Sequence, residues 1–466
     1  MARPFARRGR VQDLRPFATL RVFGLCYCAR VMENAKPQLV RAIGRWTMTA
    51  MVVNGIIGSA VYGLPSEISR LLGAASPWAY VIAAVGTGAV MACFAEVGSQ
   101  FPAAGGPYLY ARETFGQFWG IEMGWLNWLV RVASAAANAN VFVAYLAQFF
   151  PSVGEGAARA AVLAVLLGAL AVINVCGVRA GMGVNNALAA AKLVPLLVFA
   201  FAGMLLVHGT VPMGITSWPG REGLSPGNWL TAILLLVFAY GGFEIGLYSM
   251  SEARNVRRDA PFAMFTGIAV VFVLYTLVQV VVLRALPDAG ASKAPLAEAS
   301  LRFLGAGGWA FMSVGAILSV YGNLSSSLLN GPRLTFALAE RGEFPRMFGA
   351  VSERFRTPYV SIVIYAALTF ALSLFGSFRW NAVLAAVGRV FTYGIVCLAL
   401  LVLRRQQPDA DAYRLPWAPL WVATGVMFLL VAATRMGWGN LIAVGVMTAV
   451  ALVNWMWVKG AKSGAG

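Results

Sequence analysis

Two short segments rich in glycine and polar residues interrupt long apolar stretches of the chain. Residues 54–59 read NGIIGS and residues 239–244 read AYGGFE. Glycine costs a helix interior about 1 kcal/mol relative to alanine, so both segments are expected to unwind a helix. An unwound helix presents N–H groups at the start of one half and C=O groups at the end of the other. These groups can bind an anion and a cation, respectively.

Lys192 and Glu244 are ionisable residues within apolar stretches. A charge in such a place is expected to face a partner or a cavity, and it often marks an ion or proton path. Lys192 could release a proton or act as a permanently charged strut. Glu244 could accept a proton, form a gate, balance a basic solute or serve as a structural carboxyl. For four further ionisable residues we expect positions near the membrane faces or in pairs between helices: Glu96, Glu122, Arg131 and Arg389.

The composition indicates a membrane protein. Of the 466 residues, 59% are hydrophobic and 12% are charged, whereas soluble chains average about 25% charged residues. Apolar runs long enough to span a bilayer recur along the chain. The net charge of +18 could suggest nucleic-acid binding. However, most of the Lys and Arg residues fall in segments that one consistent topology places in the cytoplasm, as the positive-inside rule requires. We therefore predict no nucleic-acid partner.

The number and spacing of the Cys and His residues exclude several kinds of site. The five Cys residues form no CxxC pair, and the chain has one His. A disulfide framework, a zinc site and a His-based catalytic centre are therefore not expected. No Walker-type loop is present, and the intramembrane carboxylates are scattered. We predict no cofactor, no metal and no enzymatic activity.

Polar residues, Pro and Gly divide the apolar runs into twelve predicted transmembrane helices. The interrupted helices are the first and the sixth, which open two groups of five. Because five is odd, the second group starts from the opposite side of the membrane and forms an inverted repeat. Paired broken helices in such repeats mark a transport site near the bilayer midplane. The predicted spans are 46–71, 77–98, 119–149, 159–176, 185–208, 228–250, 262–284, 308–330, 359–376, 383–403, 417–433 and 438–458.

The predicted fold is an all-α, polytopic membrane protein with a 5+5 inverted repeat and two extra helices. We expect it in the cell (inner) membrane, with both termini in the cytoplasm. The first 45 residues lack the pattern of a signal peptide, and Met32 is an alternative start. The predicted parts are a basic N-terminal tail (1–45), the first repeat (46–208), the second repeat (225–405), helices 11 and 12 (416–458) and a C-terminal tail (459–466).

Four motifs carry a resemblance to a known family. Residues 55–65 read GIIGSAVYGLP; residues 238–244 read FAYGGFE and are followed by SEARN at 251–255 and DAP at 259–261; residues 333–337 read RLTFA and are followed by RGEFP at 341–345. These resemble the first helix, the sixth helix with its loop, and the end of the eighth helix in the amino acid–polyamine–organocation superfamily of permeases. Lys192 matches the helix-five lysine of its sodium-independent members. Ala60 replaces a glycine of the family pattern, Tyr62 replaces a phenylalanine, and Ser251-Glu252 replaces an acidic doublet.

The resemblance implies a permease for amino acids or amines. The start of the second half of helix 1 would bind the substrate carboxylate, and the carbonyl ends of the first halves of helices 1 and 6 would bind its ammonium. Aromatic residues at the sixth-helix break could cover the substrate or simply pack. The candidate substrate-binding residues are Asn54, Gly55, Ile57, Gly58, Ser59, Ala60, Phe238, Tyr240, Gly241 and Phe243.

The resemblance also implies how transport is driven. Lys192 would stand where sodium-coupled relatives hold an ion between helices 1, 5 and 8. It would bond to carbonyls of helix 1 and to hydroxyls of the 325–327 segment. The candidate proton-coupling residues are Lys192, Glu244, Ser325, Ser326 and Ser327. The alternatives are an antiporter of amino acids, amines or polyamines, and a non-transporting sensor on a permease fold; the oligomeric state stays open.

Overall fold

The computed structural model describes residues 43–101, 105–177, 182–207, 225–409 and 412–463. Within these ranges the chain is almost entirely helical, and an isolated bridge between Ile43 and Ala253 is the one β contact. The predicted N-terminal tail lies outside the described residues up to residue 42. Residues 464–466 of the predicted C-terminal tail lie outside them as well.

The helices follow one another in the chain order expected from the apolar runs. A 3₁₀-helical segment, Phe243–Glu252, comes directly after the break that follows Tyr240. The α-helices are α1 (Arg45–Ile56), α2 (Ala60–Leu72), α3 (Ser76–Gln100), α4 (Gly106–Phe115), α5 (Gln117–Leu146), α6 (Gly156–Val175), α7 (Met182–Leu206), α8 (Pro226–Tyr240), α9 (Val256–Ala285), α10 (Pro295–Glu340), α11 (Tyr359–Phe375), α12 (Phe378–Gln406), α13 (Ala418–Ala433) and α14 (Trp438–Ser463).

Eight helical stretches of the described residues are long and apolar enough to cross a membrane. Three shorter apolar helices, within α7, α11 and α13, accompany them. The prediction of a polytopic all-α membrane protein is therefore confirmed, whereas the count of twelve spans stays a prediction. The eight stretches are Ala60–Gln100, Gln117–Leu146, Gly156–Val175, Pro226–Leu247, Val256–Ala285, Pro295–Glu340, Phe378–Gln406 and Trp438–Gly460.

Proline and glycine set several helix boundaries. Pro226 and Pro295 occupy the first turns of α8 and α10, where the missing N–H of proline breaks no hydrogen bond. Gly116 has a φ of 94° and separates α4 from α5, a backbone conformation that other residues rarely adopt. The order of helices thus follows from local sequence.

Burial separates inner from outer helices. The most apolar part of Pro226–Leu247 is 83% buried, whereas that of Gly156–Val175 is 17% buried. On the outer surface, Val165 and Leu205 are 71% and 77% exposed. Such exposed apolar side chains would be unfavourable in water but fit the hydrocarbon core of a bilayer. Therefore α8 lies in the centre of the protein and α6 at its periphery.

Both expected helix interruptions are present. The first lies between α1, which ends at Ile56, and α2, which begins at Ala60. The second lies between Tyr240, where α8 ends, and Phe243, where the 3₁₀ segment begins. The 3₁₀ segment packs against α1, and α5 packs against α10 and α12. These contacts bring the two breaks together in the protein interior.

Candidate functional site

A cavity of about 290 Å³ lies between the two helix breaks. Residues of α1, α2, α5, α7, α8, α10, α11, α12 and the 3₁₀ segment form its wall. The wall is rich in polar groups although the surrounding helices are apolar, as expected of a binding site for a small polar solute. Its polar and charged residues are Asn54, Ser59, Arg131, Ser134, Asn138, Lys192, Glu244, Asn323, Ser326, Ser327, Asn330, Tyr365 and Arg389.

The two breaks contact each other through glycine. A Cβ atom added to Gly55 would lie 2.6 Å from the carbonyl oxygen of Gly242, and one added to Gly242 would overlap the carbonyl oxygen of Gly55. Gly242 also has a φ of 102°, which side chains disfavour. This close approach therefore requires glycine at both positions.

Asparagine side chains bind the unwound backbone of the first break. Asn138 on α5 accepts the N–H of Ser59 at 3.1 Å, and Asn323 on α10 donates to the carbonyl oxygen of Ile57 at 3.0 Å. Tyr275 on α9 donates to the carbonyl oxygen of Ile56 at 3.2 Å. These bonds satisfy groups that an intact helix would pair internally.

Lys192 on α7 forms hydrogen bonds to α1, to the first break and to α10. Its Nζ donates to the carbonyl oxygen of Asn54 at 3.2 Å, to Asn54 Oδ1 at 3.0 Å and to the carbonyl oxygen of Ile57 at 3.2 Å. It also bonds to Asn323 Oδ1. The side chain is 4% exposed. The ammonium thus binds the first break as expected, but its partner on α10 is an amide rather than the expected hydroxyls at 325–327, because Asn323 is the residue that faces α7 at this level.

Glu244 binds the second break. Its Oε2 accepts the N–H of Gly242 at 2.9 Å and the hydroxyl of Tyr393 on α12 at 2.8 Å. Glu244 is buried and lies on the cavity wall. The carboxylate therefore holds the break in α8 to α12 from within the cavity.

Arg389 on α12 lies against the second break. It is 6% exposed, its Nη2 is 3.3 Å from Ser134 Oγ, and its guanidinium lies over the ring of Phe238 at 5.5 Å. A Cβ on Gly241 would overlap the guanidinium. Arg131 and Arg389, which are expected near a membrane face or in a pair between helices, both lie on the cavity wall, and the hydrogen bond of Arg389 joins α12 to α5. Arg389 lies one turn of α12 before Tyr393, the residue that donates to Glu244. Arg389 and Tyr393 therefore lie on the same face of α12.

Most of the residues predicted for the site lie on the cavity wall. Tyr240 lies outside it, where its hydroxyl donates to the carbonyl oxygen of Tyr80 at 3.1 Å. Phe243 packs against Phe94, with ring centroids 5.1 Å apart. Ile57 contributes its carbonyl oxygen to Lys192 and Asn323. The predicted residues on the wall are Asn54, Gly55, Gly58, Ser59, Ala60, Lys192, Phe238, Gly241, Glu244, Ser326 and Ser327; Ile57, Tyr240, Phe243 and Ser325 are not part of it.

Sequence reasoning missed several polar residues of the wall. Asn138, Asn323 and Arg389 lie within long, mostly apolar helices and outside the four motifs. A polar residue inside a transmembrane helix is a signal in itself, and it could have drawn attention to all three. Glu96 and Glu122, which are expected near a membrane face or in a pair between helices, both pair with another helix: Arg404 binds Glu96 at 2.8 and 2.6 Å, and Thr448 donates to Glu122 at 2.7 Å.

Comparison with known proteins identifies the family of this chain. The chain matches the family model described as "Amino acid permease" over residues 43–459. The serine/threonine exchanger SteT of Bacillus subtilis (strain 168) is 26% identical over 411 residues, which cover 86% of this chain and 92% of the exchanger. The methylthioribose transporter of the same organism is 23% identical over 89% of this chain and 94% of its own length. The mouse cationic amino acid transporter 4 is 26% identical over 80% of this chain and 61% of its own length. The match of the family model over nearly the whole chain, including both breaks and the cavity between them, shows that this protein belongs to the amino acid permease family.

Proposed function

We propose that this protein is a secondary transporter that moves amino acids across the cell membrane by alternating access around the cavity between the two helix breaks. The observation that carries the proposal is the position of this cavity. Unwound backbone within a bilayer is tolerated where it lines a cavity, and paired broken helices are where transporters of this architecture bind substrate. Family membership identifies a transporter of amino acids rather than an enzyme.

The backbone at the breaks can bind both charges of an amino acid. Because α2 begins at Ala60, the first N–H groups of this half-helix lack intrahelical acceptors, and its dipole favours a carboxylate there. Asn138 now accepts the Ser59 N–H, so a carboxylate would share or replace that bond. Carbonyl groups at the ends of α1 and α8 would accept hydrogen bonds from the substrate ammonium.

Lys192 supports transport that is independent of sodium and coupled to protons. Its ammonium occupies a position bordered by carbonyl and amide oxygens of α1 and α10. A metal cation would need the same oxygens, so the two compete for one place. A neutral amine makes weaker hydrogen bonds than an ammonium. Release of the proton would therefore loosen α7 from α1 and α10, and we propose this as the coupling step, with Glu244 as the second candidate.

We further propose twelve transmembrane helices, arranged as an inverted repeat of 46–208 and 225–405 followed by two helices, with both termini in the cytoplasm. Support comes from the interruption of the first helix of each repeat. Further support comes from the ion pair of Glu155 with Lys293 at 3.3 Å, which joins two predicted external loops. The pair of Arg112 with Glu343 at 2.8 Å does the same for two predicted cytoplasmic segments.

Uptake by purified protein in proteoliposomes tests the function. Labelled amino acids and polyamines would be offered with and without a pH gradient, and with and without sodium. We expect saturable uptake of at least one amino acid above that of protein-free liposomes, stimulated by an inward proton gradient and unchanged by sodium. Specific binding of an amino acid without any uptake or exchange would contradict transport and favour a sensor.

Exchange is the second candidate function, because a relative named as an exchanger aligns with 86% of this chain. Liposomes loaded with unlabelled substrate distinguish the two modes. Exchange requires a loaded interior, whereas proton symport proceeds into empty liposomes. Release of an amine or a polyamine in return for an amino acid would identify the corresponding antiporter.

A further inference from the structure

Arg389 is an incompletely paired cation inside the cavity. Its side chain is 6% exposed, and the structure gives its guanidinium a single hydrogen bond, from Nη2 to Ser134 Oγ at 3.3 Å. Nε and Nη1 are buried and have no hydrogen-bond partner among the described residues. Buried charged groups are nearly always paired, since they have lost their hydration. Two unpaired N–H-bearing atoms on a cavity wall therefore indicate a partner that arrives from outside the chain.

The described residues do not supply that partner. Among the described residues, Glu244 is the one carboxylate of the cavity wall, and no ion pair joins it to Arg389. Its Oε2 already accepts the N–H of Gly242 and the hydroxyl of Tyr393. Against this carboxylate stand three cationic side chains of the wall: Arg131, Lys192 and Arg389. The cavity consequently has an excess of positive charge.

Lys192 and Arg389 differ in how their charges are compensated. The ammonium of Lys192 is bound by oxygen atoms of α1 and α10, so its hydrogen-bonding capacity is filled without substrate. The guanidinium of Arg389 lies over Phe238 and against Gly241, which fixes its plane. A fixed guanidinium fork matches the geometry of a carboxylate, with two parallel N–H···O bonds.

We propose that Arg389 binds a side-chain carboxylate of the substrate, so that the site selects acidic amino acids. This inference rests on the transport function proposed above and assigns its substrate class. The α-carboxylate and α-ammonium would use the backbone at the breaks, which leaves the guanidinium for a second carboxylate. A basic amino acid would bring a further positive group into a cavity whose wall carries Arg131, Lys192 and Arg389, and like charges in a cavity repel strongly.

Pairs of amino acids that differ by one charge test this selectivity. Proteoliposomes with the purified chain would be offered L-glutamate against L-glutamine, L-aspartate against L-asparagine, and L-lysine. We expect uptake of each acidic member to exceed that of its amide by about tenfold or more, as suits the loss of a charge-assisted bidentate pair. Transport of L-lysine should be lowest.

Substitution of the arginine assigns the effect to this residue. Arg389→Gln should lower glutamate uptake about tenfold or more while glutamine uptake persists. Arg389→Lys, which keeps the charge but lacks the fork, should fall between the two. The matched control is Arg302→Gln, because Arg302 is exposed and away from the cavity wall, and it should retain the unmutated ratio. Detergent-solubilised variants would be compared with the unmutated protein by size-exclusion profile.

The outcomes separate this inference from the function on which it rests. Glutamine or lysine uptake equal to or above glutamate uptake would overturn acidic selectivity and leave amino-acid transport in place. An unchanged glutamate-to-glutamine ratio in Arg389→Gln would overturn the role of Arg389. Absence of uptake and exchange for every amino acid would overturn the transport function itself. The comparison of glutamate with glutamine uses the unmutated protein, so the inference can be contradicted even if a variant misfolds.

Discussion

Among the described residues, the partners of the Lys192 ammonium are dipoles and not charges. Its hydrogen bonds go to two backbone carbonyls and to the side-chain amides of Asn54 and Asn323. No carboxylate of the described residues forms an ion pair with it. A carboxylate partner would strongly favour the charged form of the lysine. Carbonyl and amide groups carry no net charge, so they leave no unpaired negative charge behind when the proton is released. This environment is suited to a proton that is bound in one step of a cycle and released in another.

We expect Lys192→Met to abolish accumulation driven by a pH gradient. Methionine keeps most of the stem but carries neither charge nor proton, so α7 would no longer respond to pH. The measurement is substrate accumulation in proteoliposomes with an imposed gradient. Slow exchange of external for internal substrate across the membrane of loaded liposomes should persist. The matched control is Lys293→Met, since Lys293 is 80% exposed and pairs with Glu155 at the surface; it should behave as the unmutated protein.

Full pH-driven accumulation by Lys192→Met would show that the lysine is a structural strut and would transfer the proposed coupling to Glu244. Sodium-dependent uptake by the unmutated protein would contradict the proposal more directly. The ammonium and a sodium ion would need the same oxygens of Asn54 and Ile57, so both cannot be bound at once.

At the residue scale, sequence predicts groups next to a motif and misses those set by helix rotation. Lys192 was expected to contact the first break, and Glu244 lies on the second by its position in the chain. The partner of Lys192 on α10 was expected at 325–327 but is Asn323. Two residues along a helix turn the side chain by roughly 200°, so this choice depends on how α10 is rotated against α7. Arg389 depends in the same way on the rotation of α12.

At the element scale, the two broken helices touch through Gly55 and Gly242. We expect Gly242→Ala to lower thermal stability and to abolish uptake, because alanine disfavours the φ of 102° and its Cβ would overlap the carbonyl oxygen of Gly55. Thermal unfolding in detergent and uptake in proteoliposomes are the measurements. An alanine variant with normal uptake would contradict the close contact of the breaks.

Gly394→Ala is the matched control for Gly242→Ala. Gly394 lies inside α12, and a Cβ there would meet nothing within 4 Å. Alanine is favoured over glycine in a helix interior by about 0.5–1 kcal/mol, so stability should be unchanged or slightly higher. Uptake should remain normal, because the residue is not on the cavity wall.

Helix lengths were predicted less well than helix breaks. The first span was predicted at 46–71, and α1 and α2 together cover 45–72 with the break where glycine was found. The eighth was predicted at 308–330, whereas α10 covers 295–340 with a non-helical Gly305 inside it. Gly305 (φ 67°) divides α10 into two helices, and the second of them begins close to the predicted start at 308 but continues ten residues beyond the predicted end at 330. Apolar runs report the part of a helix in lipid, and they do not report extensions into the aqueous phase.

At the scale of the whole molecule, charged contacts divide into two groups. Lys293 and Glu155 pair at one side of the helix bundle, and both are at least 80% exposed. Glu343 binds Arg112, and its backbone carbonyl accepts from Asn454 near the end of α14. The second group thus joins α4, the end of α10 and α14, which the positive-inside rule predicts on the cytoplasmic side.

We expect single cysteines at exposed positions to report this topology. In a variant without the five native Cys residues, Glu155→Cys and Lys293→Cys should react with a membrane-impermeant maleimide in intact cells. Glu340→Cys, at the exposed end of α10, should react only after the cells are permeabilised. Labelling of Glu340→Cys in intact cells would contradict the proposed orientation. Labelling of only one of positions 155 and 293 in intact cells would contradict their location on the same side of the membrane.

The contact of Gly55 with Gly242 also constrains how this sequence can evolve. Each glycine is required because the carbonyl group of the other is so close, so a side chain at either position forces the same separation of the breaks. Once the breaks have separated, the second replacement costs less than it would alone, and the two effects are non-additive. The two positions lie 187 residues apart in the numbering, yet they are expected to vary together. Selection on one half of the chain is in this way transmitted to the other.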